Sequence, residues 1–105
     1  YRRISRGENC IILEDEFENK PGTGVSWPEM RFVTPGDFER TGHNTWRVTR
    51  DGVSAVLEFS CSEELVFQVC DAPGSLINQP VYRILRVSPG KPVARCSFKT
   101  IIRDE

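Results

Sequence analysis

The sequence is poor in the residues from which many active sites are built. It contains one histidine, His43, and one methionine in 105 residues. Nucleophilic catalysis by cysteine or serine needs a neighbouring base, and no spacing along the chain links His43 to such a nucleophile. Nucleophile-elbow, metalloprotease and phosphate-loop motifs are absent from the sequence. We therefore expect a protein that is not an enzyme and that uses no cofactor.

Long apolar runs and a strong net charge are missing as well. The longest apolar run covers residues 10–13, whereas a membrane-spanning helix needs about 18 apolar residues, so we expect no membrane span. A formal net charge of −1 argues against a partner held by overall charge alone. With 38% hydrophobic and 28% charged residues, the composition is typical of a soluble globular protein. The length predicts one domain over residues 1–105.

The four cysteines lack the C-x-x-C spacing of structural zinc sites, so we expect no metal site. Cys10, Cys61, Cys70 and Cys96 would allow disulfides in three connectivities in a secreted protein. Most of them suit buried apolar positions equally well. The start of the sequence has no apolar signal segment and the chain has no N-x-Ser/Thr sequon. These absences favour reduced thiols and an intracellular location, in the cytoplasm or nucleus, with secretion as the alternative.

The clearest positive signal is the segment T-W-R-V-T-R-D-G-V-S-A-V-L-E-F at residues 45–59. Asp51-Gly52 between two alternating segments predicts a hairpin with a type I′ turn, because both residues tolerate positive φ. Pairing outward from this turn sets Trp46 opposite Leu57. The pairing puts one set of residues on a single buried face: Trp46, Val48, Ala55, Leu57 and Phe59.

Apolar and polar residues alternate with a period of two along most of the chain, and no window favours a helix. The predicted strands cover residues 9–13, 30–34, 45–50, 53–60, 65–70, 81–87 and 93–102. Residues 1–7 fit an arm or an edge strand, and residues 15–20 a surface loop. Seven short strands separated by Gly/Pro turns predict an all-β protein, an antiparallel β-sandwich of jelly-roll or immunoglobulin-like type. A small β-barrel is the alternative.

The lengths of the connections predict how the strands pair. The joins at residues 61–64 and 88–91 are short enough for hairpins. Residues 71–80 form a longer join, which is long enough to cross between two sheets.

Positive charge is concentrated near the end of the sequence. Residues 79–103 contain six lysines and arginines and no acidic residue, whereas residues 14–18 carry four acidic ones. A hairpin turning at residues 88–91 would set Ile84 opposite Arg95. One face would then consist of Tyr82, Ile84, Arg86, Arg95 and Lys99. The other would be a core face of Val81, Leu85, Val87, Ala94, Cys96 and Phe98, interrupted by Arg83. In the alternative interpretation, the acidic run covers the basic strands through weak surface ion pairs.

Trp27 is the second binding candidate, because it lies in a loop and Pro28 limits regular pairing there. Its alternative role is a lid over one end of the fold. Aromatic rings beside arginines stack on protein side chains, bases or sugars. We therefore predict a non-catalytic interaction module that binds a protein partner or its own copy. The candidate binding residues are Tyr82, Ile84, Arg86, Arg95, Lys99 and Trp27. Nucleic-acid binding by the same basic face and secreted carbohydrate or ligand binding are the alternatives.

Overall fold

A computed structural model describes residues 2–20, 22, 24–72 and 82–105. These residues form nine strands and no helix. The strands are β1 (Arg2–Gly7), β2 (Cys10–Glu18), β3 (Met30–Thr34), β4 (Asp37–Arg40), β5 (Thr45–Arg50), β6 (Val53–Cys61), β7 (Leu65–Ala72), β8 (Tyr82–Pro89) and β9 (Arg95–Asp104). The predicted all-β class is confirmed. In the described part of the chain, no helix is long and apolar enough to cross a membrane.

The strands form two antiparallel sheets. The large sheet has the order β1-β2-β9-β6-β5-β4, and the small sheet has the order β3-β8-β7. The limits of β3 and β5 are those predicted from sequence, and the other predicted strands differ mainly at their ends. Residues 1–7 contain an edge strand, β1. The strand β4 was missed, because its four residues follow Pro35-Gly36 and are too few to show a clear alternation.

The predicted hairpin is confirmed in its register and in its turn. Trp46 pairs with Leu57, and Arg50 pairs with Val53. Asp51 and Gly52 have φ angles of 51° and 79°, as a type I′ turn requires. Local turn geometry therefore sets which residues of β5 and β6 pair with each other.

Both sheets contribute side chains to one core. Its buried members are Met30, Trp46, Leu57, Phe59, Leu65, Leu85, Val87, Val93, Cys96 and Phe98. The ring centroid of Phe59 in β6 lies 5.4 Å from that of Phe32 in β3 and 5.5 Å from that of Phe67 in β7. Aromatic contacts of this kind add about 0.5–1.5 kcal/mol beyond the burial of area. The inner faces of the two sheets are thus held together by aromatic rings.

The connections cross between sheets at different places from those predicted. The short joins after β6 and after β8 each lead from one sheet to the other, so the predicted hairpins there are wrong. The predicted crossing at 71–80 is also wrong, because β7 and β8 pair directly, with Ala72 opposite Tyr82. A short join permits a hairpin without requiring one. Strand β8 lies in the small sheet instead of pairing with β9, and its Leu85 and Val87 are part of the core. Val81, predicted for the same core face, lies outside the described residues, and Ala94 is exposed.

The acidic run at residues 14–18 lies within β2, so the surface loop predicted for residues 15–20 is wrong over most of its length. Asp15 is only 4% exposed, and Arg2 Nε donates a hydrogen bond of 2.6 Å to its Oδ1. This hydrogen bond raises the pKa of the Arg2 guanidinium. Strand β2 can hold several carboxylates because it lies between β1 and β9, which both carry basic side chains.

Candidate interaction surface on the small sheet

The residues predicted to form one basic face lie on two different sheets. Tyr82, Ile84 and Arg86 belong to β8, and Arg95 and Lys99 belong to β9. Strand β8 is flanked by β3 and β7, while β9 is flanked by β2 and β6, so β8 and β9 have no free edge with which to pair. The predicted shared face is therefore wrong. The predicted alternation of buried and outward side chains within each strand is confirmed, because Leu85, Val87, Cys96 and Phe98 are all buried.

Arg95 and Lys99 lie on the outer face of the large sheet, opposite acidic residues of β2. Arg95 pairs in register with Glu18, and its Nη2 lies 3.6 Å from Glu18 Oε1. Lys99 pairs in register with Glu14. The alternative interpretation, in which the acidic run covers basic residues, thus describes this part of the molecule. Such exposed pairs contribute little to stability.

The outer face of the small sheet carries the rest of the predicted site together with exposed apolar side chains. Val33 of β3 is 61% exposed and lies opposite Ile84 of β8. Cys70 of β7 lies on the other side of Ile84, and exposed Val66 lies opposite Ser88. We call the following set the small-sheet surface: Trp27, Glu29, Arg31, Val33, Val66, Gln68, Cys70, Tyr82, Ile84, Arg86 and Ser88. A group of exposed apolar residues rimmed by polar ones is a common feature of binding surfaces.

Trp27 joins this surface from the loop that precedes β3. Its indole Nε1 donates a hydrogen bond of 2.6 Å to the carbonyl of Pro89, 62 residues away. A bridge between Ser26 and Val93 fixes the backbone directly before Trp27. The side chain remains 56% exposed, so it is not part of the buried core. The two binding candidates that the sequence suggested separately, Trp27 and Arg86, therefore lie close together.

A shallow cleft of about 380 Å³ lies between them, lined by Trp27, Glu29, Val66, Gln68, Arg86 and Ser88. The Glu29 carboxylate orients the arginines on the polar side of the cleft. Its Oε1 accepts a hydrogen bond of 2.6 Å from Arg86 Nε, and its Oε2 accepts one of 2.6 Å from Arg31 Nε. Arg86 Nη1 also donates to Gln68 Oε1 at 3.1 Å. The hydrogen bond from Arg31, more than the one from Arg86, lowers the pKa of the Glu29 carboxyl from its ordinary value of 4.5.

One carboxylate therefore bridges two arginines, which leaves an excess of positive charge on the small-sheet surface. The guanidinium of Arg86 is oriented on both sides, by Glu29 and by Gln68. Arginine and aromatic side chains are enriched in protein interfaces. The arrangement is suited to binding another surface without a large loss of side-chain entropy.

His43 lies in an exposed loop between β4 and β5, where its carbonyl accepts a hydrogen bond from Arg40 Nη2. Within the described ranges, no group of three or more histidine, cysteine or acidic side chains could hold a metal ion. Comparison with models of protein families found no match, and comparison with curated protein sequences found none either.

The sequence did not reveal a second exposed apolar area, on the inner side of β1 and β2. Ile4, Ile11 and Phe17 are all exposed there, and the described core contains no residue of either strand. Because three of the six residues of β1 are arginines, its sequence shows no alternation of apolar and polar residues. Ile4 pairs with Leu13, which pairs with the buried Thr100 of β9, so the Ile4 side chain lies on the inner side of the large sheet.

Proposed function

We propose that this protein is a non-catalytic interaction module whose small-sheet surface docks a second copy of the same chain. The supporting observation is that Trp27 shares one outward surface with Ile84 and Arg86 of β8, which are far from it in sequence, and with exposed valines of two other strands. The large and small sheets would form a sandwich of jelly-roll type. Successive strands that change sheet, from β2 to β3, β3 to β4, β6 to β7 and β8 to β9, support this architecture.

The chemistry of the surface fits a protein better than a small charged ligand. Tryptophan, tyrosine and arginine supply most of the binding energy at protein interfaces, and aliphatic neighbours exclude water around them. A second copy fits because the surface carries charges of both signs. In a two-fold symmetric dimer, each contact is made twice, so the Glu29 carboxylate of one copy could lie beside an arginine of the other.

The test is the molar mass in solution, measured by light scattering after size-exclusion chromatography over a range of loading concentrations. We expect wild type to form a concentration-dependent dimer. Val33→Arg should shift the protein to monomer, because it places a charge among the exposed apolar side chains of the contact. Val53→Arg is the matched control: Val53 is 73% exposed but lies at the β5–β6 turn of the large sheet, and this variant should dimerise as wild type does.

Wild type that remains monomeric up to its solubility limit would contradict the proposal. So would a Val33→Arg protein that dimerises as strongly as Val53→Arg. Arg95→Glu adds a second control, because Arg95 lies on the other sheet and its reversal should leave the dimer unchanged.

Carbohydrate binding is the second candidate, and the Trp27 cleft favours it. The exposed indole ring lines the same cleft as Glu29, Gln68 and Arg86. These polar side chains could form hydrogen bonds with the hydroxyls of a sugar stacked on the ring. A titration of tryptophan fluorescence with soluble oligosaccharides tests this candidate, since Trp27→Phe should weaken any observed quenching. A secreted location would accompany this function, whereas an intracellular location accompanies the interaction module.

The nucleic-acid alternative has less support. Its basic face is divided between two sheets, and carboxylates lie next to Arg86 and Arg95. An affinity for a labelled single-stranded oligonucleotide that falls steeply with salt concentration would support this alternative.

A further inference from the structure

Two of the four cysteines face each other inside the fold. Cys61 ends β6, and Cys96 lies near the start of β9, the neighbouring strand of the large sheet. Both side chains point towards the core, and their Sγ atoms are 3.2 Å apart as free thiols. Cys10 lies on the outer face of the large sheet and Cys70 on the outer face of the small sheet, so these two point away from each other. Cys61 and Cys96 are therefore the one pair of cysteines whose sulfurs are neighbours in this fold.

We propose that Cys61 and Cys96 form a site of reversible disulfide modification, with a low-molecular-weight disulfide such as oxidised glutathione as the oxidant. The Cys61 thiolate attacks the oxidant, forms a mixed disulfide and releases one thiolate. The Cys96 sulfur then attacks Cys61 Sγ, gives up its proton to water or to the released thiolate, and displaces the second thiol. The two protein thiols lose two protons and two electrons, and the oxidant is reduced to two thiols.

The surroundings assign different roles to the two sulfurs. Cys61 is half-buried, so its Sγ is the sulfur that the oxidant can reach, and it accepts a hydrogen bond of 3.4 Å from the backbone N–H of Glu63. Cys96 is 1% exposed. Burial, with a further contribution from Cys61, raises the pKa of the Cys96 thiol to about 12. The contribution of Cys61 disappears once it is in a mixed disulfide, so Cys96 becomes easier to ionise at the step in which it attacks.

The disulfide would close the chain at the two places where it changes sheets. Cys61 directly precedes the crossing from β6 to β7, and Cys96 follows the crossing from β8 to β9. The closed loop joins residues 35 positions apart and contains two of the three strands of the small sheet. A cross-link over a loop of this length stabilises the fold mainly by restricting the unfolded chain. Oxidation should therefore raise the melting temperature by about 10 °C or more.

The experiment incubates the folded protein with oxidised glutathione, blocks free thiols with iodoacetamide and maps the disulfide by peptide mass spectrometry without reduction. We expect one intramolecular link, Cys61–Cys96, with Cys10 and Cys70 alkylated, and a higher melting temperature that reductant reverses. The double variant Cys10→Ser with Cys70→Ser should behave in the same way. Cys61→Ser should lose both the link and the rise in melting temperature. Because Cys61 is only half-buried, this variant should fold even if Cys96→Ser does not.

Four alkylated cysteines after oxidation would overturn the proposal. Links that join other cysteines, or that join two chains, would overturn it as well. A Cys61–Cys96 link without any rise in melting temperature would contradict the stabilising role of the cross-link.

Discussion

Replacing Trp46 with alanine should remove a large part of the contact between the two sheets. Trp46 lies on the inner face of β5, and its ring centroid is 5.6 Å from that of Phe67 in β7. Phe67 in turn contacts Phe59 of β6. Loss of a buried tryptophan ring leaves a cavity that the surrounding rings cannot fill, at a cost of about 3–5 kcal/mol. Since domains of this size are stable by roughly 5–15 kcal/mol, the variant should be much closer to unfolding.

Trp46→Phe is the matched control for this loss. The Nε1 of Trp46 is buried and has no hydrogen-bond partner among the described residues. An unsatisfied buried donor costs about 1–3 kcal/mol. Phenylalanine keeps one aromatic ring and removes the donor. The stability lost with the smaller contact area should be offset by the stability gained when the unpaired N–H is removed. We expect the free energy of unfolding of Trp46→Phe to lie within about 1 kcal/mol of wild type.

Urea unfolding followed by far-ultraviolet circular dichroism is the suitable assay, because the substitutions themselves change the tryptophan fluorescence. The free energy of unfolding comes from the midpoint and a slope shared by the three proteins. A Trp46→Ala protein within about 0.5 kcal/mol of wild type would refute the role of the aromatic contacts between the sheets. A Trp46→Phe protein as unstable as Trp46→Ala would contradict the expected gain from removing an unpaired indole N–H.

Two further expectations concern the β5–β6 turn and the polar cluster. Gly52→Val should lower the free energy of unfolding by about 1–3 kcal/mol. A Cβ at Gly52 meets no atom within 4 Å, so the cost comes from the φ of 79° alone. Gly52→Asn should cost less in the same urea assay, because asparagine tolerates positive φ. The carboxyl of Glu29 should titrate below 4.5 in an NMR pH titration, and Arg31→Gln should raise this pKa more than Arg86→Gln does. Because folding lowers the pKa of Glu29, its contribution to stability is present above the unfolded pKa and is lost as pH falls through the folded one. Equal effects of the two arginine variants would contradict the assigned hydrogen bonds.

The sequence by itself determined the local parts of this fold. Asp51-Gly52 set the turn and the register of β5 and β6, because the dihedral angles of a two-residue turn leave few alternatives. Alternation with a period of two also indicated which side chains of β8 and β9 are buried, because neighbouring residues of a strand must point to opposite faces. These relations act between residues close in sequence.

Beyond the β5–β6 hairpin, the tertiary structure decided which strands became neighbours. Short joins after β6 and β8 are compatible both with hairpins and with crossings, and the burial of Leu85 and Val87 against the large sheet favoured the crossings. This choice separated Arg95 from Arg86 and brought Trp27 beside Arg86 instead. Pairing partners depend on the total apolar surface that the whole chain can bury, a non-local quantity that alternation within a single strand does not contain.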